Sequence, residues 1–153
     1  MTKAIWAVLC KKAIIDRDTN DLSLVDVISG INLNVPIDVP GPFGVKLDSM
    51  IVSLWINDTD QEVVEEVKLY YKPVGGKERE VSYKEIVLKP NSFHRWIVRL
   101  SEGEFEAEGM HAFIIKQKAA RSGKWTQVLS TPFVVTFNRS EEAEVFVKQN
   151  PQE

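Results

Sequence analysis

The chain has 153 residues, which suits one domain because a chain of this length buries roughly 68–70% of the surface that its unfolded form exposes. Its 19 Lys and Arg against 22 Asp and Glu give a formal charge of −3, without the basic stripe that nucleic acid or an anionic membrane requires. The longest uncharged apolar stretch is far shorter than the ~18–20 residues of a membrane span. The single cysteine, Cys10, excludes an internal disulfide framework. Lys11 and Lys12 stand where a leader cleavage site would be expected, so we expect a cytoplasmic protein.

The first part of the chain has the rhythm of an all-β protein. Apolar residues recur with period two, and turn residues interrupt them about every ten positions. The first two predicted strands run from Ala4 to Ile15 and from Leu22 to Asn34. The loop "VPIDVPGPFG" follows as a crossing between sheets or a rim, because proline cannot donate to a sheet ladder.

A third run, from Val45 to Asn57, changes phase in its middle. We predict a β-bulge near Asp48 to Ser49, because one extra residue redirects the side chains that follow it. The apolar positions before the change are Val45 and Leu47, and those after it are Met50, Val52, Leu54 and Ile56.

The rest of the chain supplies five further strands. "VVEEVKLYYKPV" is the fourth, Gly75-Gly76 suits a hairpin turn, and Glu78 to Leu88 is the fifth. "FHRWIVRL", "MHAFIIKQ" and "WTQVLSTPFVVTF" follow. We therefore predict an antiparallel two-sheet sandwich, immunoglobulin-like or C2-like, of about eight strands over residues 1–139. Residues 140–153 are assigned to a tail, in which Ser140 to Val147 has a helical alternative before a disordered end.

Two stretches resemble known proteins. "AVLCKKAIIDRDTNDLSLVDVISGI" resembles the opening of an uncharacterised bacterial family of small β-sandwich proteins, whose first strand ends in Cys-x-x-Ala. "FEAEGMHAFIIKQ" resembles the Gly-x-Tyr strand start of immunoglobulin-like sandwiches, with His111 in the place of Tyr. The resemblance implies a bacterial β-sandwich, and it implies no activity and no catalytic residue.

The acidic hexapeptide that follows the first strand is a candidate metal loop. Asp16, Asp18 and Asn20 match the first three ligand positions of an EF-hand, but Asp21 replaces the required glycine and Val27 the bidentate glutamate. It is therefore not an EF-hand. Asp and Asn also fill ordinary turns, because their side chains hydrogen-bond the local backbone.

A second acidic turn, "NDTD", extends the hypothesis. Alternation of antiparallel strands places it at the same end of the sandwich as the hexapeptide, and two loops together can supply the six to eight oxygens that Ca²⁺ requires. The candidate ligands are Asp16, Asp18, Asp21, Asp58 and Asp60. No other cofactor is expected.

Catalytic motifs are missing from the sequence. It has no Gly-x-Ser-x-Gly elbow, no phosphate loop and no Rossmann fingerprint. His94 and His111 have no zinc-ligand spacing, and Cys10 is interpreted as a buried, unreactive thiol. We therefore expect no enzyme, although a site assembled from distant residues stays open.

Two aromatic residues suggest an interface instead. Trp55 and Tyr70 fall out of phase with the predicted core-facing positions of their strands. Exposed Trp and Tyr are the residue types that anchor protein interfaces; the alternative is that both faces of a central strand are covered. The sequence thus favours a non-catalytic binding or scaffolding module with a protein partner or a second copy, ahead of a Ca²⁺-dependent ligand-binding module and of an enzyme.

Overall fold

The computed structural model describes residues 2–119 and 121–143, and this part of the chain is all β. It contains nine strands and no helix, so no helix within it could cross a membrane. The strands are β1 (Thr2–Ile15), β2 (Leu22–Val27), β3 (Gly30–Pro36), β4 (Phe43–Asn57), β5 (Val63–Lys72), β6 (Arg79–Leu88), β7 (Ser92–Phe105), β8 (Gly109–Lys118) and β9 (Trp125–Ser140).

The strands form two sheets. Sheet A has four strands in the order β2-β1-β4-β7, and sheet B has five in the order β3-β9-β8-β5-β6. Sheet B is curled like half of a barrel. All neighbouring strands are antiparallel except β3 and β9, which run parallel from the Gly30–Val134 pair onward. The expectation of a wholly antiparallel protein is therefore wrong for this one pair.

The expected count of about eight strands is low because the run from Leu22 to Asn34 is two strands. The chain leaves sheet A after β2 and enters sheet B at β3. Ile28 donates its amide to the carbonyl of Leu9 at 2.8 Å, and the carbonyl of Ser29 accepts the amide of Val134 at 3.0 Å. Sheet A thus bonds the amide of Ile28, and sheet B bonds the carbonyl of Ser29. Because these backbone groups are satisfied, the alternating apolar pattern of the sequence can continue through the crossing between the sheets.

The hydrophobic core draws side chains from both sheets. On one side of the molecule the Thr131 hydroxyl donates to the Ala7 carbonyl at 3.0 Å, which joins β9 to β1. Core residues from sheet A include Leu9, Phe43, Ile51, Trp55 and Trp96, and those from sheet B include Leu33, Val67, Leu69, Phe113, Ile115 and Phe133.

The predicted bulge in β4 is confirmed, but the side-chain phase assigned to the residues after it is wrong. The register with β7 shifts between Lys46 and Ser49, where Asp48 has a φ of 41°. Beyond the bulge Ile51 and Trp55 face the core, and Trp55 is 0% exposed. Trp55 is therefore a core residue, and the prediction that it lies at an exposed interface is wrong.

The outer face of β4 is apolar and partly buried. β1 pairs with β4 as far as Cys10 and then continues as the partner of β2. The guanidinium of Arg95 on β7 donates to the side chain of Asn20 at 3.1 Å and to its carbonyl at 2.5 Å, which ties the turn of the β1–β2 hairpin to β7. Val52, on the outer face of β4, is 0% exposed. Both faces of this strand are covered, as a continuous apolar run indicates.

The predicted boundary at residue 139 falls at the end of β9, whose last residue is Ser140. Residues 141–142 form a turn. The helical alternative for Ser140 to Val147 and the disordered end lie mostly in residues 144–153, outside the described residues.

Candidate functional site

The acidic hexapeptide is a hydrogen-bonded turn. The Asp16 carboxylate accepts the amides of Thr19 and Asp18 at 2.9 and 2.8 Å, and the Asp16 carbonyl accepts the amide of Asn20 at 2.9 Å. These two amides, Thr19 first, lower the pKa of the Asp16 carboxyl. Asp16 thus serves the local backbone, which is the ordinary role of aspartate in turns.

The second acidic turn is organised by an amide side chain. The Asn57 Nδ2 group donates to the carbonyls of Gln61 and Leu88 at 2.7 and 3.2 Å, and the Thr59 carbonyl accepts the amide of Asn91 at 2.9 Å. This turn therefore lies beside the start of β7. Within residues 2–119 and 121–143, no three His, Cys, Asp or Glu residues form a group that could hold a metal ion. The structure does not bring Asp16, Asp18, Asp21, Asp58 and Asp60 together as a metal centre.

A cleft lies between the end of the β1–β2 hairpin and strands β4 and β7, and we call it the hairpin cleft. Its volume is about 630 Å³. Phe93 at its mouth is 66% exposed, a large fraction for an aromatic side chain. The apolar lining residues are Trp6, Ile15, Leu22, Leu54 and Phe93.

The polar lining of the hairpin cleft consists of Asn20, Ser92, His94 and Arg95. Arg95 is held by Asn20. The Nε2 atom of His94 is buried and has no hydrogen-bond partner among the described residues. Burial, followed by the charge of Lys84, lowers the pKa of His94, which favours the neutral imidazole. The lining of the cleft therefore combines five apolar residues with these four polar ones.

Sequence reasoning missed this cleft, although one signal pointed to it. Phe93 shares its strand parity with Arg95 and Arg99, and not with the buried Trp96 and Leu100. That phase places a phenylalanine on the water-facing side of β7. Exposed apolar side chains that form a continuous patch commonly mark contact sites.

A second polar arrangement, in the core, is structural. The Tyr71 hydroxyl donates to Nδ1 of His111 at 2.7 Å, and Nε2 of His111 donates to the carbonyl of Ala107 at 2.8 Å. The carbonyl can only accept, which fixes the histidine tautomer. Burial raises the pKa of Tyr71 to about 12 despite the opposing charge of Arg79, so the phenol stays protonated. His111 is 1% exposed, which confirms the expectation of a packed residue.

The remaining candidate residues lie apart from the hairpin cleft or below its surface. Trp55 donates its indole N–H to the Ser53 hydroxyl at 2.9 Å and is fully satisfied in the core. Cys10 is buried, as expected, and burial raises the pKa of its thiol. Tyr70 is half-buried on the outer face of sheet B, with the Lys116 ammonium 4.7 Å from its ring.

No family model and no curated protein matches the chain. Among solved structures it is similar to the β-glucosidase of Listeria innocua in complex with isofagomine, at 10% identity and a TM-score of 0.48 over 72% of this chain and 15% of that chain. It is also similar to the β-D-glucoside glucohydrolase of Trichoderma reesei, at 12% identity and a TM-score of 0.49 over 89% of this chain and 19% of that chain. The chain thus spans less than a fifth of those enzymes. A likeness of this size is no basis for assigning their activity to it.

Proposed function

We propose that the chain is a non-catalytic β-sandwich module of the immunoglobulin-like or C2-like type that binds a protein partner. The sandwich assignment is supported by a core shared between the two sheets and by the chain crossing between β2 and β3. The observation that carries the binding function is the hairpin cleft, with Phe93 66% exposed at its mouth.

The composition of the cleft favours a protein over other ligands. Trp6 and Phe93 supply large aromatic surface, and aromatic residues are enriched where proteins bind each other. Burying one phenylalanine side chain contributes about 1.5–3 kcal/mol. A net charge of −3 provides no general attraction for nucleic acid.

The test is peptide binding with Phe93 removed. Twelve-residue peptides displayed on phage are selected on the wild-type protein, and synthetic copies are titrated calorimetrically. We expect Phe93→Ser to weaken binding at least tenfold, because loss of about 1.4 kcal/mol changes an affinity by that factor. Val64→Ser is the matched control, since Val64 is 56% exposed on the outer face of sheet B.

The outcomes separate the alternatives. Peptides that bind both variants equally place the binding surface elsewhere and contradict the proposal. Melting temperatures show that both variants remain folded, and sedimentation velocity shows whether a second copy occupies the cleft.

The calcium-dependent alternative has no supporting contact in the described part of the chain, and it stays a prediction. Thermal melts with millimolar Ca²⁺ and with excess EDTA test it directly. A ligand at ~100 times its dissociation constant stabilises the folded state by about 2.7 kcal/mol. Tyr70 as an interface residue likewise stays a prediction.

A further inference from the structure

Four strands lie at the edges of the two sheets, and three of them carry features that discourage pairing with another strand. β2 and β3 are short, with six and seven residues, and β3 ends in proline. β6 has a register shift opposite Leu69 and Tyr70, and its Lys84 stands on the core-facing side opposite Val67. Short length, proline, bulges and inward charges are the usual protections of sheet edges.

The fourth edge, β7, lacks these protections over its first nine residues. From Ser92 to Leu100 it pairs with β4 without a register shift. As the last strand of sheet A, it has no hydrogen-bonded neighbour on its other side among the described strands. A regular edge of this length presents a row of backbone donors and acceptors to a further strand.

The same edge borders the hairpin cleft. Four consecutive residues, 92–95, line the cleft. A strand placed beside them would bring every second side chain to the outer face of sheet A, next to Phe93. An edge supplies main-chain hydrogen bonds, and a neighbouring pocket selects the side chain, which is the division of roles in strand addition.

A positive charge on this edge indicates which side chain the partner should carry. Arg99 is exposed, shares the outer face with Phe93, and follows it by six residues. Opposite charges that face each other across neighbouring strands are stabilising, whereas like charges are not. The position opposite Arg99 therefore favours an acidic side chain.

We propose that the partner is an extended protein segment that joins sheet A as an added strand along β7. One apolar side chain of the segment enters the hairpin cleft beside Phe93, and an acidic side chain six positions away lies opposite Arg99. This inference rests on the proposed function, because it requires that the cleft bind a partner at all.

The first experiment alters the backbone of the partner and leaves the protein unchanged. Synthetic copies of the selected peptides are N-methylated at each position in turn, and binding is measured calorimetrically. Only every second amide of an added strand bonds to its neighbour. We therefore expect methylation at alternate positions to weaken binding at least tenfold and methylation between them to have little effect.

The second experiment exchanges charges. Arg99→Glu is expected to weaken binding of peptides with an acidic residue roughly two- to fivefold, the size of a cross-strand charge pair. Changing that peptide residue to lysine should restore binding to the variant. Arg121→Glu is the matched control, because Arg121 is exposed in the turn between β8 and β9.

The outcomes distinguish the two proposals. Binding that depends on Phe93 but shows no alternation overturns strand addition and leaves the proposed function in place. A library that returns no Phe93-dependent peptide overturns both. A Phe93-dependent dimer assigns the cleft to a second copy and also overturns the inference.

Discussion

At the scale of single residues, the buried histidine and tyrosine show how the core admits polar groups. Tyr71 and His111 stack at 5.8 Å, and His111 also lies 5.7 Å from the ring of Phe133. The phenol donates to the imidazole, and the imidazole donates to the Ala107 carbonyl. Buried polar groups are tolerated when every one is bonded, and this chain of bonds meets that condition.

Removing the phenol hydroxyl should therefore destabilise the fold. In Tyr71→Phe, Nδ1 of His111 loses its donor and stays buried, which costs about 1–3 kcal/mol. Urea denaturation measures the free energy of unfolding. Tyr83→Phe is the control, since the Tyr83 side chain is 48% exposed and its hydroxyl bonds Glu66 at the surface. A Tyr71→Phe protein as stable as the control would show that the imidazole needs no donor.

His94 gives the protein a pH-dependent stability. Burial and then Lys84 lower its pKa, so the native state disfavours the charged imidazole. The unfolded chain binds that proton at its usual pKa of about 6.5. Stability is therefore complete above that value and is lost as the pH falls through it towards the lower native pKa.

Denaturation between pH 7.5 and 5.5 measures this loss. His94→Gln should flatten the decline, because glutamine does not titrate, while His111 stays present in both proteins. Lys84→Gln should flatten it partly, since the charge of Lys84 is the smaller of the two causes. Equal slopes in wild type and His94→Gln would show that another group controls the acid response.

At the scale of elements, β4 shows how much of a strand's structure can be predicted from the alternation of apolar residues along it. The bulge near Asp48 was predictable because the apolar phase changes there. Which phase faces the core was not, since Ile51 and Trp55 on one face and Val52 and Leu54 on the other are all apolar. The choice depends on contacts between distant parts of the chain, such as the bond between Arg95 and Asn20, which are 75 positions apart.

The hairpin cleft could not be predicted from the sequence for a similar reason. Trp6, Leu54 and Phe93 come from three strands, and only the register of β4 with β1 and β7 brings them together. The acidic turns were visible because their residues are adjacent in sequence. However, acidic residues close together in sequence are found both in metal loops and in turns whose side chains bond their own backbone. Asp16 belongs to a turn of the second kind.

At the scale of the whole molecule, the two sides of the paired sheets differ. Thr131 bonds Ala7 where β9 meets β1, which ties the sheets together on one side. β6 and β7 are edge strands of their respective sheets. The β7 edge lies beside the hairpin cleft, and the two together make up the proposed binding surface.

Hydrogen exchange tests that placement in the free protein. Residues 50–57 of β4 and residues 112–117 of β8 have a strand on each side, whereas each edge strand bonds one neighbour. Exchange is slowest where opening requires extensive unfolding. We therefore expect slow exchange from Met50 to Asn57 in β4 and from Ala112 to Gln117 in β8, and alternation between slow and fast amides from Ser92 to Leu100, measured by NMR in D₂O. β6, an edge strand with a register shift, serves as the comparison within the same protein.

Uniformly slow exchange along β7 would mean that its outer amides are already bonded. The edge could then not accept a further strand.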